Sequence, residues 1–180
     1  GTTFGGKNLQ IDSSATLTIP GTAPVINGTL VLNGGKMSFT GGSITLAAGD
    51  TMNFGSLTFT SAGVVDITED SGTKLSGVST ADSLVLTSAG ALTDDGTADV
   101  TVTNNATLSG TSMDLNVTTA ALAMDFGSLT FNSAGSVKIG QTSNMVLTGT
   151  STADSLVLTS TGTITDDTTV DLTVTNNARF

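Results

Sequence analysis

Along this chain apolar and polar residues alternate with a period of two. In MDLNVT, Met113, Leu115 and Val117 alternate with Asp114, Asn116 and Thr118, and in LAMDF, Leu122, Met124 and Phe126 alternate with Ala123 and Asp125. Successive side chains of a strand point to opposite faces, so each stretch predicts a strand with one face on a core and one in water. The same reading holds for Leu57 and Phe59 around Thr58, Leu84 and Leu86 around Val85, and Val100 and Val102 around Thr101. The strands are short, and TSAG, TDDG and TNNA lie between them. Gly and Asn accept positive φ, and Asp or Ser side chains bond nearby backbone, so these clusters predict turns. No segment carries the 3.6-residue period of a helix, and the chain is expected to be all-β.

The pattern also repeats on a larger scale. FGSLTFTSAG starts at Phe54 and FGSLTFNSAG at Phe126; at a constant offset of 72, residues 54–108 match 126–180 at 36 of 55 positions without a gap. Residues 54–125 are therefore one unit, 126–180 a second and incomplete one, and 1–53 a divergent N-terminal region. SLTFTSAG at Ser56, SLVLTSAG at Ser83 and ATLSGTSMDL at Ala106 resemble one another, which suggests about three turns per 72 residues before Ser128 restarts the cycle. A chain coiling in this way pairs each strand in parallel with the one a turn above, roughly 4.8 Å away, and stacks its apolar side chains inside. The expected fold is a parallel β-helix, or β-solenoid. Its interior would hold Leu57, Phe59, Leu84, Leu86, Val100, Val102, Leu115, Met124, Phe126, Leu129, Phe131, Leu156, Leu158, Leu172 and Val174, with Thr58, Thr101 and Asp114 outside. An immunoglobulin-like sandwich also uses many short strands, but does not explain near-identical 72-residue copies. In the first region Leu30, Leu32, Met37, Phe39, Ile44 and Leu46 alternate inward, giving two or so further turns, and Pro20 and Pro24 mark a turn, an edge or a terminal cap.

Composition supports a folded β chain. Thr fills 36 positions and Gly 22, while 37% of residues are hydrophobic, enough for a core. There is no Cys, His, Trp or Tyr, so a disulfide framework and thiolate or imidazole metal sites are excluded. Fifteen acidic residues against five basic ones give a net charge of −10, and Lys7, Lys36, Lys74, Lys138 and Arg179 are spread singly along the sequence. Nucleic acid is not an expected partner, because phosphate binding needs clustered cations. No apolar run approaches the roughly 18 residues of a spanning helix, so no membrane insertion is expected; AALAM at 120–124 is the longest candidate. The opening GTTFGG lacks Met and a signal segment, which reads as a processed chain or a fragment.

TADSLVLTSAGALTDDGTADVTVTNNATLSGTSMDL at 80–115 and DFGSLTFNSAGSVKI at 125–139 resemble the repeat regions of filamentous-haemagglutinin-like exoproteins, large bacterial surface proteins and adhesins. The resemblance covers about 130 residues and rests on composition and spacing. It implies a right-handed β-helix shaft, an extracellular or cell-surface location, and a structural or adhesive role. Residues 1–50 show no match to that family's secretion domain.

Candidate chemistry is sparse. Catalysis needs a tuned acid or base, a partnered nucleophile or a metal. The pair Asp94–Asp95, repeated as Asp166–Asp167, has no Lys or Arg beside it in sequence, and no enzyme is expected. The same corners supply the calcium candidates: Asp94, Asp95 and Asp99 in TDDGTAD, and Asp166, Asp167 and Asp171 in TDDTTVD. Calcium takes carboxylate and carbonyl oxygens, but the calcium-binding β-roll pattern is missing, and solvated turn acids that need no cofactor are the favoured reading. TNN at 103–105 and 175–177 reads as turn-forming asparagine. The triplets TFT, TVT and TIT raise ice binding, against which Thr58 is expected to stack over Val85 and break the column. Asn27, Asn105 and Asn116 each begin an Asn-x-Ser/Thr triplet. The function expected is a structural subunit or shaft of an extracellular fibre, joined to itself head to tail or through a longer chain. The alternative is an adhesin whose wall binds a glycan. Phe180 takes the place of Leu108, so an exposed edge of parallel strands is expected there.

Overall fold

In a computed structural model the side chains and backbone of residues 55–116 and 123–180 are described, together with the backbone of seven strands between residues 3 and 46. Pro24, Val117 and Leu122 lie outside the described residues, as do the side chains of the first region. The described chain is strand, turn and bend throughout, and every strand pairing is parallel. It is a β-solenoid of about six turns.

The register defines the walls. On one wall Leu57 pairs with Leu75, then Lys74 with Thr93, Thr93 with Asp114, Asp114 with Lys138, and Lys138 with Val157. On the opposite wall Ile44 pairs with Val65, followed by Leu84, Ala106, Leu129 and Leu147. Steps on this second wall run from 18 to 23 residues, and the coil spacing is about 21.

This register corrects the expected three turns per 72 residues. Strands Ser83–Ser88, 105–109 and 128–132 do stack, but the strand beneath them is Val64–Glu69, not Ser56–Ser61. Ser56–Ser61 lies on the first wall, half a coil earlier. The 72-residue unit therefore spans three and a half coils, and its two copies face opposite ways. Leu57 stacks on Leu75 in the first wall, whereas its copy Leu129 stacks on Leu147 in the second. Val65, on the second wall, has its copy Val137 on the first, between Met113 and Leu156.

Alternation puts the predicted apolar residues inside. Leu57, Phe59, Leu84, Leu86, Val100, Val102, Leu115, Met124, Phe126, Leu129, Phe131, Leu156 and Leu158 are all buried. Each such side chain contributes about 1.5–3 kcal/mol by leaving water. Leu172 and Val174 are only half-buried, a correction with a simple cause: no further coil of the described chain lies on Asp171–Val174. Thr101 and Asp114 are exposed and Thr58 half-buried, all on the outer faces of their strands.

Candidate functional site

The corners are where the repeated polar residues act. In each copy a threonine hydroxyl reaches the next coil's backbone: Thr58 Oγ1 donates to the Ser76 carbonyl at 2.7 Å and Thr130 Oγ1 to the Thr148 carbonyl at 2.8 Å. A buried serine receives a strand amide, Phe59 N to Ser79 Oγ at 3.2 Å and Phe131 N to Ser151 Oγ at 3.1 Å. Ser88 Oγ donates to the Ser71 carbonyl at 2.7 Å, and Ser160 Oγ to the Ser143 carbonyl at 2.6 Å. Between these corners Gly77 and Gly149 stand at φ +60° and +63°, a left-handed turn that glycine adopts without penalty.

The calcium candidates belong to the same system. Asp95 Oδ1 accepts from Thr97 N at 2.9 Å and Thr97 Oγ1 at 2.6 Å; Thr97 Oγ1 in turn accepts from Gly77 N, one coil below, at 3.2 Å. Asp167, Thr169 and Gly149 repeat the arrangement with distances of 2.8, 2.6 and 3.2 Å. Thr148 Oγ1 also donates to Asp167 Oδ2 at 2.5 Å. That bond first, then those from Thr169, hold the Asp167 carboxyl below the usual 3.8. Asp94 Oδ1 caps its turn by accepting from Gly96 N at 2.7 Å. Asp99 and Asp171 begin the following strands. Among the described residues no three His, Cys, Asp or Glu gather to hold a metal. The recurrence of TDD is accounted for by a carboxylate that organises the turn and, through threonine, fastens it to the coil beneath.

The asparagines do the same at another corner. Asn104 Nδ2 donates to Asp82 Oδ1 at 2.9 Å and Asn176 Nδ2 to Asp154 Oδ1 at 2.7 Å. Asn105 is held on both sides, donating to Thr107 Oγ1 and accepting from Ser128 Oγ. The threonine register differs from the one expected: Thr58 pairs with Ser38, while Val85 lies between Asp66 and Thr107 on the opposite wall. A threonine column does form through Thr40, Thr60, Thr80 and Thr101, and it ends on Asp125.

Folding also gathers what sequence order scattered. Lys74, Thr93, Asp114, Lys138, Val157 and Arg179 form one column of the first wall, so three of the five cations share it. Lys138 Nζ lies 3.9 Å from Asp114 Oδ1, and both side chains are about half exposed. Beside them is an open depression of about 320 Å³ lined by Thr93, Asp94, Gly96, Asp114, Asn116 and Lys138. Sequence order hid it because its residues come from three successive coils; only the coil spacing of about 21 would have aligned them. The chain matches no family model, no curated protein and no solved structure.

Proposed function

We propose that this chain is a length of structural shaft in an extracellular β-solenoid fibre at a bacterial surface, without catalytic activity. The observation that carries this reading is the duplicated set of corner bonds. Each bond joins one coil to the next and lies within a single 72-residue unit, so copying the unit copies everything needed to extend the stack. Solenoids whose units contact only their neighbours lengthen without redesign of the core. The surface location rests on the resemblance of residues 80–115 and 125–139 to exoprotein repeats. Electron microscopy and fibre diffraction of the native material test the proposal. Filaments with a roughly 4.8 Å axial repeat are expected; native material without filaments, together with a stable monomer of the isolated chain at high concentration, overturns it.

A second reading, an adhesive wall, is favoured by one observation. The depression around Asp114 and Lys138 includes two positions at which the copies differ, Lys138 for Asp66 and Gly96 for Thr168, where the corner bonds keep to the repeat.

A further inference from the structure

The depression on the first wall combines opposite charges in an arrangement that the repeat does not require. Lys138 stands where the first copy has Asp66, a reversal of charge at an exposed position whose neighbours Val137 and Ile139 remain apolar and buried. On the second wall Asp66 pairs with Thr45 and Val85; on the first, Lys138 pairs with Asp114 and Val157. Asp114 and Asn116 lie between the two matched segments, 54–108 and 126–180. Thr93 and Asp94 complete the lining from the coil below.

We infer that this depression is a subsite for one ring of a neutral saccharide. Its volume is near the lower end of the roughly 300–1,000 Å³ typical of small-ligand pockets. Two carboxylates against one ammonium oppose a free anion, and the ammonium, amide and hydroxyl donors of Lys138, Asn116 and Thr93 would find no acceptor on a bare cation. A neutral polyhydroxyl ring meets neither objection, because each hydroxyl donates to one partner and accepts from another. Asp114 and the oxygen of Asp94 not bonded to Gly96 N offer acceptors; Lys138, the Asn116 amide and the Thr93 hydroxyl offer donors. None of the lining residues is aromatic, so a single ring binds weakly, with Kd of about 1 mM. The inference deepens the adhesive reading and is independent of the shaft.

The test is a nuclear magnetic resonance titration of the 180-residue chain with a neutral hexose, a neutral disaccharide and the matching hexuronate. We expect the Gly96 amide and the Asn116 side-chain amide to shift with the neutral sugars. Affinity should fall about tenfold in Lys138→Ala and in Asp114→Asn, with thermal melting unchanged in both, and the uronate should bind about tenfold more weakly than the hexose. Neutral-sugar binding untouched by both substitutions, or stronger binding of the uronate, overturns this subsite but leaves adhesion elsewhere on the wall. If none of the three sugars and no member of a glycan array binds, the subsite and the adhesive reading fall together.

Discussion

Residues 54–108 and 126–180 share most of their sequence and face opposite sides of the solenoid. Phe59 and Phe131 are both fully buried and both donate their backbone N–H to a serine hydroxyl oxygen, although one lies over Phe39 on the first wall and the other over Leu108 on the second. What the copies preserve is a set of contacts between one coil and the next, with no reference to a particular wall. Where they differ, the change is local. Glu69, fully buried, accepts from Ser71 Oγ at 2.9 Å and from Thr73 Oγ1 at 2.5 Å. Its counterpart Gln141 donates to the carbonyls of Phe126 and Asn144, at 3.0 and 2.6 Å, and leaves its buried Oε1 without a partner. The cause is visible four residues on: Met145 replaces Thr73, removing the hydroxyl that would have served that oxygen.

The equivalence of the copies is broken most severely if their cores respond differently. Phe59→Ala and Phe131→Ala should each cost about 3–5 kcal/mol in chemical denaturation, and agreement within about 1 kcal/mol is expected because the buried volume and the serine bond are alike. A cost confined to one copy would show that wall position matters after all. A step smaller, Ser79→Ala and Ser151→Ala should each lose about 1–3 kcal/mol by stranding a buried amide.

The Glu69 and Gln141 corners sharpen the difference. Gln141→Glu brings a carboxylate against two carbonyls and should cost about 1–3 kcal/mol at neutral pH. The new acid's pKa is raised in the fold, because only its protonated form can donate to those carbonyls, so the loss should shrink as pH is lowered. Adding Met145→Thr should give favourable coupling of about 1 kcal/mol in a double-mutant cycle; zero coupling would sever Met145 from the orphaned oxygen. The smallest expected effect is at Asp167. Its folded pKa is lowered, so its contribution is present above the ordinary value of 3.8 and is lost as pH falls through the lower folded value. Carboxyl titration should place Asp167 below 3.8, and Thr148→Val should move it back up.

Much of this was legible in the sequence, because a two-residue period specifies strands and their inner faces without reference to distant residues. The failure over three turns is equally physical. Ser56 and Ser83 begin almost the same words, which invited placing them in one column, yet 27 residues is a long step beside the 22 and 23 that separate Leu84, Ala106 and Leu129. Likeness of sequence recorded likeness of neighbours, and the coil length alone recorded the wall. For the same reason TDD was legible as a turn but its threonine link to the coil below was not. The depression at Lys138 was not legible, since its members are joined only by stacking.

Three and a half coils per unit has a further outcome for growth. Inserting one more 72-residue copy would lengthen the shaft by about 17 Å and would also turn everything beyond it through half a revolution, while a pair of copies would add about 34 Å and restore the original heading. Copy number is then a rotary setting as well as a ruler: odd insertions carry a distal feature such as the Lys138 depression to the other side of the axis, and even insertions return it.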